Sequence, residues 1–227
     1  MRTNFRPLTI TFIFAIASTA FGAGSGPMPS GGTGSMQTRE PATPEELARN
    51  AFNSGVHSVE KADQLMADAA HQADAGKQEK ARTKAQKAYA TAMKKFASAT
   101  EINPANYQAW NYLGYTNRKL GNYDAALVAY DRALRLKPDY AEAIEYRGHA
   151  YLGLGRLSEA KEAYLSLYAG NRKLAAQLLT AMQDWIGEHR ASSGGLDVDA
   201  FASWVNERSA IASQTASLTR EGASARW

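Results

Sequence analysis

INPANYQAWNYLGYTNRKLGNYDAALVAYDRALRLKP, residues 102–138, runs directly into DYAEAIEYRGHAYLGLGRLSEAKEAY, residues 139–164, and the two stretches carry one unit twice at an offset of 34 residues. Pro104 falls on Pro138, Trp110 on Ile144, Gly114 on Gly148, Gly121 on Gly155, Ala126 on Ala160 and Tyr130 on Tyr164. A fixed period of this size marks stacked units, each hiding its apolar face only against its neighbours. The chain therefore reads as all-α, a short right-handed array of helix-turn-helix pairs with helical caps. Such arrays expose a long concave surface rather than a closed pocket, so the expectation is binding rather than catalysis.

Trp110, Leu113, Gly114, Ala126, Tyr130, Ala133 and Pro138 resemble the tetratricopeptide repeat pattern, W-x2-L-G-x2-Y, then A-x3-F, then P. Each position has a physical reason. Gly114 and Ala126 let the two helices of a pair approach closely, and Tyr130 supplies a large apolar body. Gly121 takes the left-handed turn that ends the first helix, and Pro138 separates one pair from the next. Asn117 stands where the family has Tyr, and Ile144 and Arg147 replace Trp and Leu in the second copy, Arg147 burying its stem and keeping its head in water. Leu167 and Arg172 then fall on the expected Ala and Pro, so the register ends. Upstream, Ala92, Phe96, Ala99 and Pro104 lie one period before Ala126, Tyr130, Ala133 and Pro138, which makes the preceding helix pair a divergent copy. The resemblance spans about residues 73–170.

Outward from the repeats, Thr43-Pro44-Glu45-Glu46 reads as a capping box that opens a long helix with Ala48, Phe52, Val56, Val59, Ala62, Leu65, Met66 and Ala69 on one face. After a break near Ala75 and Gly76, a second helix buries Ala85, Tyr89, Ala92, Met93, Phe96 and Ala99. Leu174, Leu178, Leu179, Met182, Trp185 and Ile186 form a carboxyl-terminal cap, closing a helical domain over 44–190 whose clearest repeats are 105–138 and 139–170. Residues 191–196, containing Ser192-Ser193-Gly194-Gly195, read as a linker. An amphipathic helix over 197–215, bearing Phe201, Trp204 and Val205, either folds onto the groove, extends the cap or docks on a partner. The tail 216–227 reads as disordered.

Residues 1–22 have the order of a secretory signal peptide: Arg2 and Arg6, an apolar run from Leu8 to Ala17, then small residues at Ser18, Ala20, Gly22 and Ala23, with cleavage near Ala20 or Gly22. The run is too short to span a bilayer. A Gly/Ser/Pro-rich tether fills 23–43. The expected location is periplasmic or secreted, and the absence of cysteine excludes disulfides and a lipidated cysteine there. The 26 basic and 22 acidic side chains nearly balance, and nearer still without Arg2 and Arg6, so nucleic acid is not an expected partner.

In the resembled family the first helix of each pair lines the concave face. That implies a groove of Gln108, Asn111, Tyr115, Arg118 and Lys119 from one unit and Glu142, Glu145 and His149 from the next, suited to an extended peptide or a helix. Recognition of a free peptide carboxyl terminus needs bases on successive first helices, and Glu142 and Glu145 are acids. Lys77, Lys80, Lys84, Lys87 and Lys94 align on one helix face, either a docking strip for anionic lipid, glycan or protein or a solvated face opposite the core. His57, His71, His149 and His189 share no metal-binding spacing, and neither a nucleophile elbow nor a phosphate loop occurs, so no enzyme activity, metal or cofactor is expected. The reading is an exported protein-binding adaptor or assembly factor. The alternatives are an envelope-structural protein held by the lysine strip, and a self-associating scaffold with the Phe201–Trp204 helix of one chain in the groove of another.

Overall fold

The computed structural model describes residues 41–190 and 197–224, with side chains described through 215. The expected signal peptide, nearly all of the tether and the linker at 191–196 lie outside the described residues. Eight helices follow one another within them: α1 Pro44–His71, α2 Ala75–Ile102, α3 Tyr107–Lys119, α4 Tyr123–Leu136, α5 Ala141–Gly153, α6 Leu157–Gly170, α7 Arg172–His189 and α8 Val198–Ser224. They pair as α1/α2, α3/α4 and α5/α6. Each new first helix packs on both helices before it: α3 on α1 and α2, α5 on α3 and α4, and α7 on α5 and α6.

Local chemistry sets the boundaries. Thr43 accepts from the Glu46 amide while Glu46 accepts from the Thr43 amide, so the capping box is complete, and Pro44 adds a preset first turn. The break expected near Ala75 and Gly76 falls instead at 72–74. Asp74 accepts the Lys77 amide at 2.8 Å and thereby draws Ala75 and Gly76 into the first turn of α2. Gly121 and Gly155, with φ of 82° and 67°, make the left-handed turns after α3 and α5. The last helix was expected to end at 215 ahead of a disordered tail, but α8 continues to Ser224, since no proline interrupts 198–224.

Close approach at glycine explains the packing within pairs. A Cβ on Gly114 would sit 2.5 Å from the Tyr130 ring, and one on Gly55 would sit 2.7 Å from Phe96. The first pair thus repeats the glycine–aromatic contact of the second, but between helices of 28 residues rather than 13 and 14. Two apolar cores result. One holds Tyr89, Phe96, Tyr115, Tyr130 and Tyr146 under α1–α5, and the other holds Tyr164, Leu178, Trp185, Phe201 and Val205 under α5–α8.

The last helix extends the cap. Phe201 is buried edge-on to Trp185, and Trp204 lies edge-on to Tyr164, at 5.8 and 5.5 Å between ring centroids. The self-association route that needed Phe201 and Trp204 free is therefore corrected: both are committed within their own chain. Arg147 also departs from expectation, since its guanidinium donates to Asp131 of α4 at 2.8 Å rather than ending only in water.

Candidate functional site

The first helices α1, α3 and α5 lie side by side, and their shared face carries the positions singled out from the sequence. Those positions divide into two groups. Gln108 and Lys119 are exposed and Glu142 and His149 half-buried, whereas Asn111, Tyr115 and Glu145 are 3%, 8% and 1% exposed and belong to the packing between units. Arg118 is half-buried over the rings of Tyr115 and Tyr146, at 5.2 and 5.5 Å. Of the eight positions expected to line the groove, Asn111, Tyr115 and Glu145 are thus packed into the array and Arg118 partly so. Helices of this array approach closely enough that one face of α3 serves both groove and core.

Asp63 of α1 organises the buried part. Tyr89 donates to it from α2, and Tyr115 donates from α3 at 2.8 Å to one carboxylate oxygen and 3.0 Å to the other, so one carboxylate ties three helices together. Burial, then the Asp63 charge, raises both hydroxyls above the ordinary tyrosine range. Beside them the Lys119 ammonium lies 5.5 Å from the Tyr89 ring centroid and 5.7 Å from that of Tyr115. Its loss of hydration and the neighbouring Arg118 push its pKa down to about 8, with Asp63 opposing. The residue as a whole still offers surface to solvent, since the long stem is open while the head is enclosed. Burial works against charge on Arg118 too, but Tyr130, Tyr115 and Glu145 outweigh it and hold the guanidinium charged.

Asp63 has no counterpart in the repeat motif, because it sits in the part of α1 that the short first helices lack. The buried Glu145 carboxylate meets the His149 Nε2 one turn on, at 2.9 Å. On α2, Lys77, Lys80, Lys84, Lys87 and Lys94 are all exposed, and none forms an ion pair among the described residues. The lysines occupy the face opposite Ala85, Tyr89, Ala92 and Phe96, as a solvated face and a docking strip both require. Among the described residues no group of three or more His, Cys, Asp or Glu is arranged to hold a metal, and no helix is long and apolar enough to cross a membrane.

Paired helices stacked so that their first members share one open face define a helical-repeat protein of the kind that presents a surface rather than encloses a substrate. Residues 107–140 and 141–168 each match a tetratricopeptide repeat family model, so the chain contains two tetratricopeptide repeats in direct succession. It is also similar to the Hsp70-Hsp90 organizing protein of Triticum aestivum, at 33% identity over 106 residues, 45% of this chain and 18% of that protein. The chain thus matches less than a fifth of the length of that curated relative.

Proposed function

We propose that this protein is a protein-binding adaptor or assembly factor that holds an extended segment of its partner along the α1/α3/α5 face. The observation that carries this reading is the division within that face. Asp63, Tyr89, Tyr115 and Arg118 form a fixed floor, while Gln108, Lys119, Glu142 and His149 remain accessible along its length. A rigid floor lowers the ordering cost on the protein's side, so the ligand bears most of it. Similarity to a protein named for organising two chaperones supports a protein as the partner class. The charge order of residues 1–22 supports export to an envelope compartment as part of the same proposal.

Tyr115→Ala or Arg118→Ala is not a clean test, because both side chains hold the floor. The test is affinity capture with wild type and with the Gln108→Ala/Glu142→Ala double variant, after circular dichroism confirms equal helicity. Loss of a defined protein with the double variant supports the reading; undiminished capture removes the face from it.

The unpaired lysines favour a second reading, in which α2 docks on an anionic surface. Sedimentation with anionic lipid vesicles that is abolished by salt and by Lys77→Gln/Lys80→Gln/Lys84→Gln supports it. Equal sedimentation of that variant removes it.

A further inference from the structure

Lys119 is set apart from the lysines of α2 by what surrounds its ammonium. Its Nζ lies 5.5 Å from the centre of the Tyr89 ring and 5.7 Å from that of Tyr115, and the Arg118 guanidinium lies 5.2 Å from the same Tyr115 ring. Two cations thus share one ring, and neither forms an ion pair among the described residues. The Asp63 carboxylate of α1 is already engaged by the hydroxyls of Tyr89 and Tyr115, and the Tyr146 ring of α5 lies 5.5 Å from Arg118. Lys161 and Arg208 also share a ring, that of Trp204, but there Glu207 pairs with the arginine.

Crowding two like charges favours the loss of one proton, and of the two groups only the amine gives one up readily. Tyr130, Tyr115 and Glu145 hold Arg118 charged, whereas loss of hydration and then Arg118 bring Lys119 down to about 8, with Asp63 opposing. At pH 7.5 about a quarter of Lys119 is then free amine, against about one part in a thousand for an ordinary lysine. A free amine beside a fixed cation is a nucleophile toward a carbonyl carbon, and the cation draws in an electrophile that carries negative charge. The stem of Lys119 is exposed on the α1/α3/α5 face, so the approach is from the concave side.

We propose that Lys119 is a covalent attachment site for a small anionic aldehyde, joined to its Nζ as an imine, with Arg118 attracting the anionic group. The neutral amine adds its electron pair to the aldehyde carbon, and the carbonyl oxygen then leaves as water with the two N–H protons. No oxidant or reductant is consumed, and water reverses the link. Attachment replaces a cation of the α1/α3/α5 face by an anion. The site itself needs no bound peptide and stands apart from the adaptor reading.

The test is exposure of the full chain to limiting glyoxylate with cyanoborohydride, which reduces each imine to a stable carboxymethyl-lysine, followed by peptide mass spectrometry. At pH 7.5, Lys119 should be labelled at least about tenfold faster than Lys77, Lys80, Lys84, Lys87, Lys94 or Lys161 of the same molecules. That lead should shrink between pH 8 and 9.5, because Lys119 is then largely deprotonated while ordinary lysines are still losing protons. It should also be smaller with acetaldehyde, which carries no charge for Arg118 to attract. An equal lead with both aldehydes would overturn the anionic ligand class. Labelling of Lys119 no faster than the α2 lysines would overturn the site and leave the adaptor reading standing.

Discussion

The central pair α3/α4 and the last pair α5/α6 start from the same glycine and tyrosine and use them differently. In α3/α4 the Tyr130 ring fills the space over Gly114 and closes the pair on itself. In α5/α6 the space over Gly148 is filled by Leu178 of α7 with Ala163 beside it, while Tyr164 turns to Tyr168 and Trp204. The interior pair is sealed by its own second helix; the terminal pair is sealed by the cap. An array of identical units has no internal reason to stop. Here it stops where the aromatic is handed to α8 and a leucine from α7 replaces it.

That contrast is most severely tested by truncating the two tyrosines. Tyr130→Ala should cost about 4 kcal/mol, since the fully buried ring bridges α3 and α4, and should lower the denaturant midpoint of the whole helical transition. Tyr164→Ala should act mainly on the end of the array, seen as faster amide exchange in α7 and α8 with α1–α4 little changed. Uniform loosening by both variants would contradict the division.

Next in size are the glycines. Gly114→Ala drives a methyl into a buried ring that has nowhere to go and should cost about 2 kcal/mol net of improved helix propensity. At Gly148 the nearest atoms are the methyl ends of Leu178, which can rotate away, so Gly148→Ala should cost less than about 1 kcal/mol. Equal costs in thermal unfolding would mean that the two sites are sealed alike.

The first pair sharpens the comparison from the other side. Its Gly55–Phe96 contact is of the α3/α4 kind, and its added length brings in Asp63. Asp63→Asn keeps the shape but replaces an acceptor oxygen by a donor facing two tyrosine hydroxyls, at about 1–2 kcal/mol in chemical denaturation.

The smallest effect is a pH signature. Lys119 has its folded pKa lowered to about 8, so above that pH the unfolded chain binds the extra proton and stability rises with pH. Tyr89, Tyr115, Tyr130, Tyr140 and Tyr146 are raised by burial above the ordinary value of 10, so their contribution is present below that pH and is lost above it as the unfolded tyrosines ionise. Stability should therefore climb from pH 8 towards 10 in wild type but not in Lys119→Met. In both, tyrosinate absorbance should then appear together with loss of helicity.

Much of this architecture was legible before the structure. Gly114, Gly121, Ala126 and Tyr130 each have a local steric task that a motif records, and the Thr43 box is a matter of four adjacent residues. The floor of the candidate site was not legible. Asp63 looks like any polar residue of an exposed helix face, and its contact with Tyr115 depends on how far α1 outruns the repeat length. Gly55 escaped for the same reason, because the longer helices shift it out of the 34-residue register. The division of the groove into buried and open members depends on how closely α1, α3 and α5 approach, which no spacing within one helix encodes. Phe201 and Trp204 read as an amphipathic face, but its seat on Trp185 and Tyr164 required the cap to be built first.

The most direct measurement is amide hydrogen exchange on the full chain, free and saturated with a protein or peptide it has been shown to bind. Use of the α1/α3/α5 face predicts slowed exchange concentrated around residues 56–63, 108–119 and 142–149, with 77–94 unchanged. Slowing confined to 77–94, with the three first helices unaffected, would contradict it and place binding on the lysine face of α2.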